Sequence, residues 1–153
     1  MEKTTTSKAV ETLNNLIETC KDGEYGFNAC AENAKSPELQ RTLMGHAREC
    51  RDAAQQLQAQ VSELGGSPEE SGSVSGSAHR GWVALKSALS SYDDLEVLEE
   101  CERGEDVAIR SYQQALTEPL PEHIRALVQQ QYQGVKRNHD EVRRLRDAAQ
   151  ARG

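Results

Sequence analysis

Residues 95–116 read LEVLEECERGEDVAIRSYQQAL, and this stretch decides the fold. Its apolar side chains recur at alternating intervals of three and four residues, which is the spacing of the buried face of a helix in a bundle. They are Leu95, Leu98, Ile109, Tyr112 and Leu116. Glu102 and Glu105 occupy the remaining positions of the same face. A carboxylate on a buried helical face is costly unless a charge, a hydrogen bond or a metal ion meets it, so this pair predicts a site.

The composition favours a single helical domain over residues 1–153. Proline is rare, and the abundant residues Ala, Leu, Glu, Gln and Arg are those that form helices. The formal net charge of -7 argues against binding to nucleic-acid phosphates. No apolar stretch reaches the ~20 residues of a membrane span, and residues 1–6 lack the apolar core of a signal sequence. We therefore predict a cytoplasmic protein that binds neither nucleic acid nor membrane.

The apolar spacing along the chain predicts an all-α, ferritin-like four-helix bundle. The helices are expected at about 7–34, 37–64, 92–117 and 121–150. Residues 65–91 begin with many Gly and Ser and regain helical spacing near 80–90, which indicates a long crossover with one short helix. Two antiparallel helical hairpins joined by one long crossover have the connectivity of ferritin-like bundles.

Local signals mark where the second and third helices begin and end. Ser36 followed by Pro37 is typical of an N-cap and a first helical residue. The pair Gly65-Gly66 is typical of a helix C-terminus. Ser91 with Asp94 resembles a capping box that would open the third helix.

The four cysteines, Cys20, Cys30, Cys50 and Cys101, form no CxxC pair. In a reducing compartment such residues are expected to act as small apolar side chains rather than as a disulfide framework. A first hairpin that turns near residues 34–37 places Cys20 opposite Cys50, where we expect two packed thiols.

Acidic and histidine side chains from all four helices are predicted to converge at one height of the bundle. With a rise of 1.5 Å per residue, their predicted heights agree within roughly 5 Å. These residues are Glu24, His46, Glu49, Glu102, Glu105 and His139. Gln131 and Asn138 are expected to join this polar layer, and Tyr112 is expected to pack with its hydroxyl at the bundle rim. The convergence favours one site over scattered surface charges.

The chain resembles a bacterial family of four-helix-bundle proteins of unknown function within the ferritin-like superfamily. Three stretches carry the resemblance: LNNLIETCKDGEYGF in the first helix, LGGSPEESGSVSGSAHRGW in the crossover, and ECERGEDVAIRSYQQAL in the third helix. The resemblance spans residues 8–148. It implies the ferritin-like fold, whereas the family itself implies no established activity.

The wider superfamily implies a di-iron or di-manganese site, built from one Glu on each of two helices and Glu-x-x-His on the other two. By position, Glu24 matches the single glutamate of the first helix, and Glu102 or Glu105 matches that of the third. Glu49 matches the motif glutamate of the second helix, and His139 matches the motif histidine of the fourth.

Two residues depart from this pattern. Asp52 stands where the second helix should supply histidine, and Lys136 stands where the fourth should supply glutamate. A protonated lysine only donates hydrogen bonds, so it cannot be a metal ligand.

Two interpretations of the polar layer remain open. In the first, iron or manganese is bound by Glu24, Glu49, Glu102, Glu105 and His139. The set is rich in carboxylates and contains no thiolate at that level, which favours these metals over zinc. A link to iron or oxidative stress would follow by analogy with the superfamily.

In the second interpretation the layer holds no metal. A hairpin that turns near residue 119 places Lys136 opposite Glu102 for a buried ion pair, and the first hairpin places Glu24 opposite His46. The protein would then be a structural module that forms a homo-oligomer or binds a protein partner. No phosphate-binding loop, nucleophile beside a histidine or zinc-type ligand spacing is present, so we predict no catalytic residue and no organic cofactor.

Overall fold

The computed structural model is a bundle of four α-helices and describes residues 2–69 and 93–152, with side chains from residue 6 onward. The helices are α1 (Glu2–Asn33), α2 (Pro37–Glu63), α3 (Asp94–Ala115) and α4 (Glu122–Arg152). α1 packs against α2, α3 packs against α4, and the two hairpins meet mainly along α1 and α3. The predicted ferritin-like, all-α architecture is confirmed. The short helix predicted near 80–90 and most of the crossover lie outside the described residues.

Both predicted ends of α2 are confirmed. The Ser36 hydroxyl accepts a hydrogen bond from the Leu39 backbone N–H at 3.3 Å, and Pro37 is the first residue of the helix. At the other end, Gly65 has a φ of +83°, a left-handed conformation that favours glycine because other residues carry a Cβ.

The capping box of α3 lies at a different pair of residues from the predicted Ser91 and Asp94. The Asp93 carboxylate accepts from the Glu96 backbone N–H at 2.8 Å, and the Glu96 carboxylate accepts from the Asp93 N–H at 3.4 Å. Asp94 instead accepts from the Lys35 backbone N–H at 2.7 Å. The start of α3 is thereby tied to the turn between α1 and α2.

The buried side chains form two apolar clusters, one towards each end of the bundle. The cluster near the α1–α2 turn includes Phe27, Leu43 and Val97. The cluster at the opposite end includes Leu13 and Leu57. His46 and Glu102 of the predicted polar layer adjoin Ala47 and Cys101, which belong to the first of these clusters. None of the helices in the described segments combines the length and apolar character that crossing a membrane requires.

Candidate functional site

Glu102 pairs with arginine and not with the predicted Lys136. Arg146 Nη1 donates to Glu102 Oε1 at 2.5 Å, and Arg143 Nε lies 3.9 Å from Glu102 Oε2. Lys136 Nζ lies 4.5 Å from the centre of the Tyr132 ring, which is a cation–π contact. The predicted buried pair of Lys136 and Glu102 is therefore wrong.

The pairing of Glu102 with Lys136 was predicted wrongly because the register of the α3–α4 hairpin differs from the predicted one. The prediction assumes a turn centred on residue 119, yet Tyr112 meets Gln131 and Glu102 meets Arg146, roughly one to three helical turns further along α4 than that turn predicts. The connecting residues 116–121 are held against the start of α4, where the Arg125 guanidinium donates to the Leu116 carbonyl at 2.7 Å. The turn is therefore not symmetric about residue 119.

Both histidines of the predicted layer pair with carboxylates on a neighbouring helix. His46 Nε2 lies 2.8 Å from Glu141 Oε1, and His139 Nε2 lies 2.8 Å from Asp106 Oδ1. The predicted contact of His46 with Glu24 is wrong. We use the name paired layer for three contacts between helices: Glu102–Arg146, His46–Glu141 and His139–Asp106.

The α1–α2 hairpin also differs in register from the prediction. The Phe27 and His46 rings meet edge to face with centroids 5.3 Å apart, so these residues lie level with each other. A Cβ placed on Gly23 would lie 2.9 Å from Cys50 Sγ. Cys50 therefore faces Gly23, and Cys20 lies about one helical turn away from the position predicted for it.

A cavity of about 270 Å³, partly open to solvent, lies between the two apolar clusters, and we call it the mid-bundle cavity. All four helices line it, and three of them do so with a glycine: Gly23, Gly104 and Gly134. The polar side chains of its wall include Glu49, Cys50, Glu105, Gln131 and Asn138. A concave site with a few convergent polar groups is the usual form of a ligand-binding site.

Glu105 is the acid of this cavity that no protein group satisfies. Glu105 is 4% exposed, and its Oε1 atom has no hydrogen-bond partner within the described segments. Burial, and then the negative charges of Asp106 and Glu102, raise the pKa of its carboxyl from 4.5 to about 9. The carboxyl is therefore neutral at pH 7, although it stands among other acids.

Within the described segments, neither Glu49 nor Glu24 forms a preformed metal-binding cluster with Glu105. Glu49 is exposed, and its Oε2 accepts from Asn138 Nδ2 at 2.5 Å. Glu24 is half-buried and lies outside the cavity wall. Burial raises the pKa of Cys50 well above its usual value, and the nearby Cys20 thiol and then the charges of Glu105, Glu49 and Glu24 raise it further. Three of the five predicted metal ligands therefore surround Cys50.

The other two predicted ligands, Glu102 and His139, belong to the paired layer and do not line the cavity. Across residues 2–69 and 93–152, no three His, Cys, Asp or Glu side chains already stand in an arrangement that could hold a metal ion. A preformed dinuclear centre made from the predicted set is therefore not present in the described part of the chain.

Tyr112 organises a hydrogen-bonded chain that was not predicted from the sequence. Its side chain is buried, so the predicted position of the hydroxyl at the bundle rim is wrong. The hydroxyl donates to Gln131 Oε1 at 2.9 Å and lies 3.3 Å from Cys20 Sγ. Gln131 in turn donates to Gln56 Oε1 at 2.9 Å. The sequence does contain a signal for this hydrogen-bonded chain. Tyr112 lies on the buried face of α3, where its hydroxyl requires a partner.

The arrangement can bind a cation once Glu105 releases its proton. An ionised Glu105 would be stabilised by a positive ion in the cavity, since only other acids contribute to the raised pKa of its carboxyl besides burial. The paired layer has less capacity for this chemistry. Glu102 Oε2 also lacks a hydrogen bond, but the Glu102 carboxylate already lies beside Arg146 and Arg143. The other two carboxylates pair with histidines.

The fold is similar to two solved ferritin-like structures. A mutant of Dps1 from Mycobacterium smegmatis matches with a TM-score of 0.76 and 14% identity, over 95% of this chain and 99% of that chain. A dodecameric thioferritin, the bacterioferritin-related protein from Bacteroides fragilis, matches with a TM-score of 0.75 and 17% identity, over 96% of this chain and 89% of that chain. At these identities the likeness shows the fold alone.

A family assignment comes from the sequence itself. No curated protein matches the chain. Residues 8–118, which include α3 and most of the cavity wall, match the family described as a domain of unknown function, DUF2383. Because the match spans most of the 153 residues, the chain belongs to the DUF2383 family.

Proposed function

We propose that this protein binds one transition-metal ion, iron or manganese, in the mid-bundle cavity. Glu105 and Glu49 would hold the ion from the cavity wall, with Glu24 beside them. The observation that carries the proposal is the buried Oε1 of Glu105, an oxygen without a hydrogen-bond partner on the wall of a cavity. Buried polar atoms without a partner are rare in native proteins, and a bound ion satisfies such an atom as a hydrogen bond would.

The charges around Glu105 favour a cation as the ligand. Asp106, Glu102 and Glu141 all raise the pKa of its carboxyl, so the surrounding potential is negative. Carboxylate oxygens suit manganese and iron among the transition metals. A cation therefore removes the electrostatic cost that keeps Glu105 protonated in the free protein.

Side chains must turn to complete such a site, because its donors are not yet gathered. Glu49 can leave Asn138 at small cost, since its side chain is exposed and can be hydrated during the change. Glu102 and His139 stay with Arg146 and Asp106. The ligand set of the proposal is thus reduced from the five predicted residues to three, which suits one ion better than two.

The biological role follows by analogy only. Bound iron would supply electrons for the reduction of dioxygen or peroxide, so a role in iron handling or oxidative stress fits the proposal. One structural neighbour is described as a dodecameric thioferritin. We accordingly expect a homo-oligomer, and light scattering that shows a strict monomer would contradict this expectation.

Metal content tests the proposal. Protein from medium supplemented with iron or manganese should retain metal, and added Fe(II) or Mn(II) should raise its melting temperature, because a ligand of the native state stabilises it. Glu105→Gln should lose both effects, since the amide keeps the size of the side chain but cannot carry its charge. Glu102→Gln is the matched control and should keep both.

Two results would overturn the metal site. One is a wild-type protein with less than about 0.1 metal per chain and a melting temperature that neither ion moves. The other is a Glu105→Gln variant that retains as much metal as the wild type.

The paired layer favours a second candidate, a metal-free structural module. In that case its three contacts hold the helices in register, and Glu105 is only a neutral core residue. A docking role has less support, because Met44 is the single large apolar side chain exposed in the described segments. The two candidates separate on one result: in the structural module, Fe(II) and Mn(II) leave the melting temperature of every variant unchanged.

A further inference from the structure

Cys50 presents a sulfur atom to the same cavity as Glu105. Both residues line the cavity, Cys50 from α2 and Glu105 from α3. On the facing helix the missing side chain of Gly23 leaves room for this sulfur, since a Cβ there would lie 2.9 Å from Sγ. The sequence pattern predicted no thiolate at this height, and the observed register of α1 and α2 places one there.

The other three cysteines already have partners. Cys20 Sγ lies 3.3 Å from the Tyr112 hydroxyl. Cys30 and Cys101 are completely buried and hydrogen-bond to each other in the apolar cluster near the α1–α2 turn. Within the described segments, Cys50 is the one cysteine without a hydrogen bond, and it is only half-buried. Its sulfur is therefore the thiol of this protein that a ligand in the cavity can engage.

A metal ion would supply the partner that both groups lack. The Oε1 of the buried Glu105 has no hydrogen-bond partner, and Cys50 forms no hydrogen bond within the described segments. Metal ligands bind in their deprotonated form and release protons on binding. Two anionic ligands balance the charge of one divalent ion, so the ion meets the desolvation cost of each anion.

We infer that Cys50 is a ligand of the metal ion in the mid-bundle cavity, bound together with Glu105. This inference rests on the proposed function and narrows it. Of the two metals proposed, a site with one thiolate and carboxylates favours iron(II) over manganese(II), because the thiolate is a softer ligand than oxygen. Gly23 is then the residue that keeps the space for the sulfur.

Cobalt(II) is the probe for this ligand. A cobalt–thiolate bond gives a charge-transfer absorption in the near ultraviolet, which oxygen ligands do not give. Cobalt(II) added to the wild-type protein should produce this band. Cys50→Ser should lose it while keeping the fold, as monitored by circular dichroism. Cys20→Ser is the matched control, because Cys20 lines the same cavity, and it should keep the band.

A second measurement uses only the wild-type protein, in case Cys50→Ser does not fold. Long exposure to iodoacetamide at alkaline pH, where more of the thiol is ionised, should alkylate Cys50 in the metal-free protein. Saturating cobalt(II) should abolish this alkylation, as mapped by peptide mass spectrometry. The Cys30 and Cys101 thiols should stay unmodified under both conditions, because they are completely buried. Alkylation of Cys50 that cobalt(II) does not change would overturn the inference.

The outcomes distinguish this inference from the proposed function. If cobalt(II) raises the melting temperature without a charge-transfer band, a metal binds but Cys50 is not its ligand. If the band disappears in Cys20→Ser and persists in Cys50→Ser, the sulfur ligand is Cys20 and the inference is wrong. If cobalt(II), iron(II) and manganese(II) all fail to bind, the inference and the proposed function fail together.

Discussion

Glu102 and Glu105 lie one turn apart on α3, yet the bundle treats them in opposite ways. Glu102 reaches Arg146 at 2.5 Å in the paired layer. Glu105 faces the mid-bundle cavity, where its Oε1 has no partner within the described segments and its carboxyl has a pKa of about 9. The helical spacing puts both acids on one buried face, and the residue that each meets on the neighbouring helices decides its state.

The comparison teaches that a buried acid is not a metal ligand by position alone. In the paired layer, each acid that approaches the core has a basic side chain across the helix interface, so it needs no ion. At the cavity several positions are small, among them Gly23 and Gly134, and although Arg137 also lies on the wall, no basic side chain of the described segments pairs with Glu105. Space together with an uncompensated acid marks a binding site more specifically than a count of carboxylates.

The largest expected effect concerns the pH dependence of stability. Between its unfolded pKa of 4.5 and its folded pKa of about 9, Glu105 keeps its proton in the native state and loses it in the unfolded state. Native protein then binds more protons, so stability falls as pH rises, by up to about 1.4 kcal/mol per pH unit. Glu105→Gln removes this loss of stability. The free energy of unfolding of the variant should therefore exceed that of the wild type by a margin that grows from pH 5 to pH 9.

Urea unfolding in the presence of a chelator, at several pH values, measures this difference. Glu102→Gln is the control, because the Glu102 carboxylate is already paired with Arg146. A constant difference between wild type and Glu105→Gln across the range would show that Glu105 ionises normally in the folded protein.

An intermediate effect is expected where Gly23 faces Cys50. A Cβ at Gly23 would lie 2.9 Å from Cys50 Sγ, so Gly23→Ala overpacks the helix interface. In a Cys50→Ala background the same change meets no sulfur and gains helix propensity. The free energy change of Gly23→Ala should therefore differ between the two backgrounds by about 1–3 kcal/mol. Equal values in both backgrounds would refute the close approach of the two residues.

The smallest effect is expected in the paired layer. Arg146→Met should destabilise the fold because it removes the partner of Glu102, whereas Lys136→Met should have less effect because Lys136 contacts the face of Tyr132. Partial solvent exposure of Arg146 screens the interaction, so added salt should reduce the loss. Thermal melts at low and high salt measure this loss of stability. A larger loss of stability for Lys136→Met than for Arg146→Met would support the ion pair of Lys136 and Glu102 that was predicted from the sequence.

The sequence predicted the architecture because periodicity and end signals are local. The four helices lie within a few residues of their predicted bounds, apart from α1, which begins at Glu2. Ser36, Pro37 and Gly65 mark the ends of α2 as expected. It also predicted that polar groups would meet at one height, and Asn138 and Glu49 do so across α4 and α2.

The partners within that layer were predicted less well, because they depend on hairpin register. Register is set by the turn, and the hydrogen bonds of Arg125 to the residues 116–121 are not visible in a hydrophobic pattern. A symmetric turn therefore paired Glu102 with Lys136 and placed Cys20 opposite Cys50. The cavity could not be predicted for a similar reason, since its space comes from glycines on three different helices.

The central claim is that Glu105 is an uncompensated acid held neutral in the cavity, and its carboxyl can be titrated directly. Protein labelled with carbon-13 at the glutamate side-chain carboxyl would be followed by NMR from pH 4 to pH 10 without metal, with Glu105 assigned by the signal that Glu105→Gln removes. We predict a midpoint of about 9 for this signal. A midpoint near 4.5, the ordinary value for a glutamate, would contradict this claim.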